Sequence, residues 1–359
     1  MSKHDAASEH GRDALSPQAP ELPSIKSRPE PVEPGAQPAD AGSIPEPQAP
    51  SRPDNKIGKT PVDNIDNAID GSEIEGRKGD YLFTVGNVSS GKSTLQSFLV
   101  HRVRTDRRLS CAPVGINGNT RNEAYLNGWI RNIEMGLFPD RTKVGSIRDF
   151  TIRVGQNRCP WLEFSFIEIA GEGIRSIVPS EDDGDRAPEL NELLERYLRE
   201  PGIRKRFLFV SDSPAVHNGQ VEALTEDILF NTLLRYLLRK DGIGLRKVEA
   251  LFVAAKWDEV SNHYNDAWQY FQKHFRGTIG TLGKANAEGR VDAGFAPFSV
   301  GKVSENNRIT YHETKYIDRI VAWVYQSFTN RRLKTHPSPK PTRFQKFWTL
   351  FAGSGGSSS

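Results

Sequence analysis

Short apolar runs alternate with amphipathic stretches through the middle of this chain, between residues 78 and 332. Runs rich in aromatic and β-branched residues predict six β-strands. They lie at residues 81–85, 150–154, 161–169, 206–211, 248–255 and 296–300. Stretches with helical spacing separate these runs, which is the pattern of helices that cover a mostly parallel sheet. The sequence therefore predicts one α/β domain with helices on both faces of a six-stranded sheet.

Three stretches carry apolar residues at helical spacing and predict amphipathic helices. The stripes are Leu126, Ile130, Ile133 and Leu137 in the first; Leu224, Ile228, Leu234 and Leu238 in the second, which spans residues 221–238; and Ile317, Ile320, Val321, Val324 and Phe328 in the third. We interpret these stripes as core packing and assign them no chemistry.

The segments on either side of this domain differ from it in composition. Residues 1–77 are rich in Pro, Ala, Ser and Glu and almost free of aromatic residues, which predicts a disordered N-terminal arm. A spacer is the favoured role for this arm, with a polyproline ligand as the alternative. Residues 333–359 combine basic residues, an aromatic cluster and a Gly/Ser-rich end. For this tail we favour docking onto the domain or a partner over peripheral membrane contact.

Composition narrows the classes of function. The chain has 48 basic and 45 acidic residues among 359, which gives a formal net charge of +3. This small net charge creates no strong positive electrostatic potential, so nucleic acid is not expected as a partner. Its two cysteines, Cys111 and Cys159, are too few and too far apart to indicate a disulfide framework or a zinc site. No signal peptide or membrane-spanning run is recognisable. We therefore expect a cytoplasmic protein.

The motif G-x-x-x-x-G-K-S stands where the first predicted strand ends and a helix begins. It consists of Gly86, Asn87, Val88, Ser89, Ser90, Gly91, Lys92 and Ser93, and is followed by Thr94. Glycines allow such a loop to curl so that its N–H groups converge on phosphate oxygens at the positive end of the helix. Lys92 would contact the β and γ phosphates, and Ser93 would offer its hydroxyl to Mg²⁺. The motif predicts a nucleoside triphosphate site; the alternative is a glycine-rich turn before a helix.

The fifth predicted strand ends in A-K-W-D (255–258), which resembles the N/T-K-x-D element of GTPases. In that element the carboxylate accepts two hydrogen bonds from guanine. The resemblance therefore implies that Asp258 selects guanine and that the stem of Lys256 lies along the base. Ala255 stands where the family has Asn or Thr, so a hydrogen bond that braces the phosphate loop is missing. A loose match to the S-A-K loop, which touches the guanine oxygen, is formed by Ser299, Val300 and Gly301.

The third predicted strand ends in E-I-A-G (168–171), where GTPases have D-x-x-G. By this resemblance Glu168 orders Mg²⁺ through a water molecule, and the N–H of Gly171 meets the γ-phosphate. The next residue, Glu172, stands where small GTPases often have the glutamine that orients the attacking water. A carboxylate beside the γ-phosphate is repelled unless it is protonated or paired, so we expect hydrolysis to be slow or to use another group.

A magnesium-binding threonine is expected in the loop before the second predicted strand. We favour Thr142, with Thr120 and Thr151 as rivals. The Thr142 hydroxyl would join Mg²⁺ and its N–H the γ-phosphate, which would order the loop only when triphosphate is bound. The neighbouring Arg141 is a less favoured candidate for neutralising transition-state charge, since an exposed arginine is usually only solvated.

Together these motifs resemble the translation-factor-related (TRAFAC) class of P-loop GTPases over residues 86–302. The segment G-x-F-P-x-x-T also resembles bacterial double-GTPase families. The resemblance implies a three-layer, Ras-like fold with one antiparallel strand near the sheet edge. It also implies a Mg²⁺-dependent GTP/GDP switch and a protein partner that reads the switch loops, with a GTP-dependent dimer as a further expectation.

The favoured function is a regulatory GTPase whose hydrolysis is slow or activated by a partner. A GTP-binding scaffold that barely hydrolyses is the alternative, and Glu172 and Ala255 favour it. An ATP-using P-loop protein is the third hypothesis, although the sequence contains no visible lid or acceptor site.

Overall fold

One seven-stranded sheet forms the centre of the domain in the computed structural model, which describes residues 74–114, 121–139, 147–169, 190–219 and 221–333. Its strands are β1 (Gly79–Val85), β2 (Leu109–Val114), β3 (Ile147–Gln156), β4 (Leu162–Ile169), β5 (Ile203–Asp212), β6 (Val248–Ala255) and β7 (Val291–Pro297). The order across the sheet is β2-β3-β4-β1-β5-β6-β7. Strand β3 runs antiparallel to β2 and β4, whereas the other neighbouring pairs are parallel. The antiparallel strand thus lies next to the sheet edge, as the resemblance implies.

Helices cover both faces of the sheet. They are α1 (Lys92–Thr105), α2 (Arg121–Glu134), α3 (Glu192–Arg199), α4 (Ser213–His217), α5 (Val221–Leu238), α6 (Ala267–His274), α7 (Arg276–Ala287) and α8 (Thr314–Thr329), with a 3-10 helix at Trp257–Glu259. The core on one face includes α3, α5, α6 and α7, and the core on the other includes α1, α2 and α8. Period-two alternation explains this division, because Leu82 and Phe83 of β1 are buried in opposite cores. The predicted three-layer α/β fold is confirmed.

The sheet differs from the prediction at its two edge strands. Strand β2 was not predicted, because its run L-S-C-A-P-V is short and contains Pro113. Proline is tolerated there since β2 is an edge strand of the described sheet, where it pairs with β3 alone. The strand predicted at 296–300 spans Val291–Pro297 instead. Asp292 and Gly294 interrupt the apolar pattern at its start and hid that part of the strand.

The helix predicted from the first apolar stripe ends at Glu134, before its last apolar residue, Leu137. Gly136 has a φ of +71°, and a Cβ atom there would lie 2.5 Å from the carbonyl oxygen of Ile309. The N–H of Ile309 donates to the Gly136 carbonyl at 2.8 Å. The helix therefore stops where the chain meets a hairpin of β8 (Gly301–Val303) and β9 (Ile309–His312). The two other predicted helices are confirmed as α5 and α8. The interpretation of the α5 stripe as core packing is wrong at Ile228, which is 40% exposed, whereas Leu234 and Leu238 are buried.

The last residues of the predicted arm contact the domain. Ile74 is buried in the core, and the guanidinium of Arg77 donates to Asp149 and, at 3.0 Å, to the hydroxyl of Tyr197. The rest of the arm and nearly all of the tail lie outside the described residues. Among the described helices, none is both long enough and apolar enough to cross a membrane.

Candidate functional site

The loops that follow β1, β5, β6 and β7 lie at one edge of the sheet, because these four strands are parallel neighbours. Residues 86–91 follow β1, Asp212 ends β5, residues 256–258 follow β6, and residues 298–300 follow β7. Ligands of open α/β sheets bind at this carboxyl edge. The fold thus brings the predicted phosphate loop, base element and S-V-G loop together.

Gly86 lies against the backbone of strand β5. A Cβ atom at this position would lie 2.3 Å from the carbonyl oxygen of Val210 and 2.6 Å from Oγ of Ser90. No side chain fits so close to a backbone oxygen, so glycine is required. Further along the loop, Ser89 with a φ of 64° and Gly91 with a φ of 91° adopt left-handed backbone conformations. These residues turn the chain into α1.

Lys92 lies buried against the loop that precedes it. Its Nζ donates to the carbonyl oxygens of Gly86 at 2.8 Å and Asn87 at 2.6 Å. Asn87 and Ser90 are also buried. Within the described chain, their side-chain polar atoms have no hydrogen-bond partner. Buried polar groups are normally paired, so the loop contains groups that a polar ligand would satisfy.

The first turn of α1 follows the loop directly. Ser93 and Thr94 are its second and third residues and are half-buried, while Val88 and Ser89 form the more exposed outer part of the loop. Residues 92–95 include no acidic side chain. The positive end of the helix dipole is therefore not neutralised by a first-turn carboxylate and favours an anion.

The base element turns sharply after β6. Lys256 has a left-handed backbone with φ 53° and ψ 40°, and its Nζ donates to Oδ2 of Asp212 at 2.5 Å. Trp257 is buried, and its N–H donates to the carbonyl oxygen of Phe298 at 3.0 Å. Asp258 is exposed on the 3-10 helix. Its carboxylate is therefore accessible at the edge of the sheet where the phosphate loop also lies.

Residues 299–301 form a fixed turn between β7 and the hairpin. The buried Oγ of Ser299 accepts a hydrogen bond from the N–H of Gly301 at 3.0 Å. Gly301 has a φ of 108°, and a Cβ atom there would lie 2.1 Å from the carbonyl oxygen of Tyr311. The carbonyl of Val300 accepts from the N–H of Glu313 at 3.1 Å. The turn is therefore held by both β9 and the start of α8.

Ala255 lies at the end of β6, near the phosphate loop. It is buried, and its Cβ lies 3.6 Å from the position that a Cβ on Gly91 would occupy. Since alanine has no polar side-chain atom, Ala255 gives the phosphate loop no side-chain hydrogen bond. This is the position at which the N/T-K-x-D element has an Asn or Thr.

The predicted metal and switch residues are only partly described. The backbone of Glu168 pairs with Thr84, near the end of β1, but its side chain lies outside the described part of the chain. Also outside it are Thr120, Arg141, Thr142, Gly171 and Glu172. Thr151 is not a switch residue, because it is buried inside β3 and its Oγ1 shares a 2.6 Å hydrogen bond with Oγ of Ser165. Among the described side chains, no group of three or more His, Cys, Asp or Glu is placed to hold a metal ion.

A buried polar cluster beneath the site was not predicted. Oε2 of Glu226, on α5, accepts hydrogen bonds from Oγ of Ser211 at 2.7 Å and from the N–H of Asp212 at 3.3 Å. Oγ of Ser211 also lies 2.7 Å from the hydroxyl of Tyr270 on α6. Polar residues that end a buried strand were a usable signal for Ser211 and Asp212. Glu226 gave no such signal, because it lies within an otherwise ordinary amphipathic helix.

Burial raises the pKa of Glu226 to about 7, from an ordinary value near 4.5. The charge of Asp212 acts in the same direction, whereas the hydrogen bonds from Ser211 and the Asp212 backbone lower the pKa. The charge of Lys92 lowers it as well, so the carboxyl group lies within electrostatic reach of the phosphate loop.

No family model and no curated protein sequence matches this chain. Among solved structures, it is similar to Roco2 of Methanosarcina barkeri, described as bound to GDP, with 11% identity and a TM-score of 0.31 over 78% of this chain and 57% of that one. The match thus spans little more than half of the Roco2 chain.

Two other solved structures are similar over larger shares of their own length. One is the signal recognition particle receptor complex SRb-GTP/SRX of Chaetomium thermophilum, with 11% identity and a TM-score of 0.38 over 64% of this chain and 94% of that one. The other is an ADP-ribosylation-factor-like GTP-binding protein, a small COPII coat GTPase from Encephalitozoon cuniculi in complex with GDP. Its identity is 13% and its TM-score 0.31 over 72% of this chain and 84% of that one. Each description names GTP or GDP. The finer double-GTPase resemblance stays a prediction, and these likenesses carry none of the proposals below.

The buried carboxyl of Glu226 predicts a pH-dependent contribution to stability. It keeps its proton in the folded protein up to about pH 7, whereas the unfolded chain ionises near 4.5, so stability from this group is lost as the pH rises through this range. The shift corresponds to roughly 3 kcal/mol. Glu226→Gln keeps an oxygen acceptor and cannot ionise. We expect urea unfolding to show that the variant gains up to about 3 kcal/mol on the wild type between pH 4.5 and pH 8.

The quantity to measure is the difference in the free energy of unfolding between the wild type and Glu226→Gln. Histidines change the stability of both proteins in the opposite direction over the same pH range. Burial lowers the pKa values of His101 and His274 to about 4, and their contribution to stability is therefore lost as the pH falls. These groups are present in both proteins and cancel in the difference. A difference that does not change with pH would contradict the assignment of the shift to Glu226.

The contact of Gly86 with Val210 predicts intolerance to the smallest side chain. Gly86→Ala places a Cβ atom against a backbone oxygen, so we expect the free energy of unfolding to fall by about 1–3 kcal/mol. Gly280→Ala is the matched control, since a Cβ atom there meets nothing within 4 Å inside α7. That change should raise stability by about 0.5–1 kcal/mol. Equal stability of the two variants in urea unfolding would show that Gly86 is not sterically required.

Proposed function

We propose that this chain is a Mg²⁺-dependent guanine-nucleotide switch that hydrolyses GTP slowly and signals to a protein partner through its switch loops. The observation that carries the proposal is that the phosphate loop after β1 and the residues 256–258 after β6 share one carboxyl edge of the sheet, where a Cβ on Gly91 would lie 3.6 Å from Cβ of Ala255. The domain is taken as residues 78–332, with an arm at 1–77 and a tail at 333–359.

The phosphate loop fits a nucleoside triphosphate in three respects. Asn87 and Ser90 bring buried polar atoms that lack partners within the described chain. The positive end of α1 favours negative charge. Lys92 already donates to two loop carbonyls, and phosphate oxygens would replace one or both of these acceptors. A lysine in this position contributes as a point charge.

Magnesium would be held by oxygen ligands, as this hard cation requires. Ser93, on the first turn of α1, would supply its hydroxyl, Glu168 would act through water, and Thr142 would join from the first switch. When bound, Mg²⁺ neutralises charge on the β and γ phosphates.

Guanine would be recognised at the base element. Asp258 is exposed and would accept hydrogen bonds from the N1 and N2 groups of guanine, a pair of donors that adenine does not present at this edge. The stem of Lys256 would lie along the base, and the backbone of residues 299–301 would meet the guanine oxygen.

Hydrolysis would depend on positioning and charge rather than on a strong base. Lys92 and the N–H of Gly171 would stabilise the γ-phosphoryl group, and Arg141 or a partner's arginine would neutralise further charge. Glu172 would repel the γ-phosphate and slow the reaction. The second candidate is a GTP-binding scaffold without turnover, which the absence of a polar side chain at Ala255 also favours.

Nucleotide selectivity tests the proposal directly. The full chain is titrated with labelled GTP, GDP and ATP in Mg²⁺, beside Lys92→Ala and Asp258→Asn. We expect guanine nucleotides to bind selectively and Lys92→Ala to weaken binding about 100-fold or more, because it removes the loop's cation. Asp258→Asn should shift the preference toward xanthine, because the amide can donate to the C2 oxygen of that base.

Lys240→Ala and Asp241→Asn are matched controls, since both residues are exposed beyond the far end of α5. Neither should change binding. Equal binding of GTP and ATP would favour the ATP-using alternative, and the absence of any binding would overturn the proposal.

The rate of hydrolysis separates a switch from a scaffold. With protein in excess over GTP, we expect single-turnover cleavage on the order of 10⁻³ s⁻¹ or slower, as for a GTPase without its activator. Glu172→Gln should raise the rate, because it removes a negative charge beside the γ-phosphate and adds an amide that can orient water. Glu172→Ala removes the same charge but adds no such group, so its rate should rise less. Tight GTP binding with no cleavage by any of the three proteins would favour the scaffold.

A further inference from the structure

Lys256 has a backbone conformation that residues with a Cβ atom rarely adopt, with φ 53° and ψ 40°. Ala255 before it and Trp257 after it are both buried, and the N–H of Trp257 is bonded to Phe298. The backbone is therefore fixed on both sides of Lys256. What remains to be set is the direction of its long side chain, which has four rotatable bonds.

Asp212 sets that direction in the structure. Its Oδ2 accepts from Nζ of Lys256 at 2.5 Å, across 44 residues of sequence. The Asp212 side chain is 15% exposed and that of Lys256 41%, so a mostly buried carboxylate holds a more exposed ammonium group. Charge-assisted hydrogen bonds of this kind are about twice as strong as neutral ones.

Asp212 is itself firmly placed. It pairs in register with Ala255, and its N–H donates to the buried carboxyl of Glu226. Its other oxygen, Oδ1, is buried and has no partner within the described chain. Loss of the carboxylate would therefore remove one buried, unpaired oxygen as well as one ion pair, so the fold should tolerate it.

Ala255 explains why such an anchor is needed. Its side chain faces the phosphate loop, 3.6 Å from where a Cβ on Gly91 would lie, but has no polar atom, so it cannot brace the base element with a hydrogen bond. The polar anchor that the structure does show on this element lies one residue further along, at Lys256.

We propose that Asp212 is a positioning residue that holds Lys256 against the nucleotide base and supplies the bracing that Ala255 cannot give. This inference rests on the proposed function, because Lys256 contacts a ligand only if the site binds nucleotide. Asp212 acts through Lys256 and makes no contact with phosphate.

A double-mutant cycle on the full chain tests this role, with labelled GDP and Mg²⁺ as the probe. The proteins are the wild type, Asp212→Ala, Lys256→Met and the double variant, because methionine keeps most of the lysine stem and removes its charge. We expect Asp212→Ala to raise the Kd for GDP about tenfold or more. In the Lys256→Met background the same change should raise it by less than about threefold.

Two further variants distinguish positioning from a general structural effect. Asp212→Asn keeps an oxygen that can accept from Nζ, so its Kd should lie between those of the wild type and Asp212→Ala. Asp318→Ala removes one of the two aspartate partners of Arg102, from an ion pair in which the aspartate has the same 15% exposure but which joins α1 and α8 away from the site. This control should leave the Kd for GDP unchanged.

The outcomes separate this inference from the proposed function. If the wild type does not bind GDP, the proposed function fails and the inference fails with it. If the wild type binds but Asp212→Ala changes the Kd by less than threefold, the inference alone is overturned. It is also overturned if Asp212→Ala raises the Kd for GDP by the same factor in the Lys256→Met background as in the wild type, because Asp212 would then act on the nucleotide without Lys256. Should Asp212→Ala not fold, the cycle is completed with Asp212→Asn under the same criteria.

Discussion

The close approach of the phosphate loop to β5 is the constraint on which the rest of the site depends. The backbone at Gly86 lies against the carbonyl oxygen of Val210, where no Cβ atom fits. This approach follows from the parallel pairing of β1 and β5, which ends with Val85 opposite Phe209. Beyond it, β5 continues to Asp212. One register therefore determines both the place of the phosphate loop and that of the carboxylate that holds Lys256.

The polar cluster under this edge connects the strand end with the helices that cover one face. Glu226 belongs to α5, Tyr270 to α6, and both bond to Ser211 at the end of β5. Burying a carboxyl group is unfavourable, and its raised pKa expresses that cost. Hydrogen bonds depend on direction, so those of this cluster restrict the position of the end of β5 more than apolar packing would. The residue that follows Ser211 is Asp212, so the cluster fixes the anchor of the base element.

Sequence reasoning identified the parts of the fold whose signal is local. The phosphate loop and the A-K-W-D element are contiguous, and α5 and α8 carry their apolar stripes within one helix. Helix α7 has no comparable signal, because Gly277, Gly280 and Gly283 weaken its helix propensity, and buried packing by residues such as Leu282 stabilises it instead. The edge strands β2 and β7 were missed or shifted because proline, glycine and polar residues interrupt their runs.

The same distinction applies to the site. Motifs predict which residue types stand at the carboxyl edge, since each motif is a short segment after a strand. The ion pair between Lys256 and Asp212 spans 44 residues, and the bond between Ser211 and Glu226 joins a strand to a helix 15 residues later. Such contacts depend on the sheet order, which short-range patterns do not contain. The anchor of the base element is therefore visible only in the folded chain.

Charge is distributed unevenly across this edge. One side has Lys92 and the positive end of α1, while acidic groups collect around Lys256 on the other. Burial raises the pKa of Glu259 there, and the charges of Asp258 and Asp212 raise it further. For a guanine nucleotide bound as proposed, phosphates would be attracted to the first side and repelled by the second, and the donor groups of guanine would suit the acidic side. This polarity would favour the proposed orientation before specific contacts form.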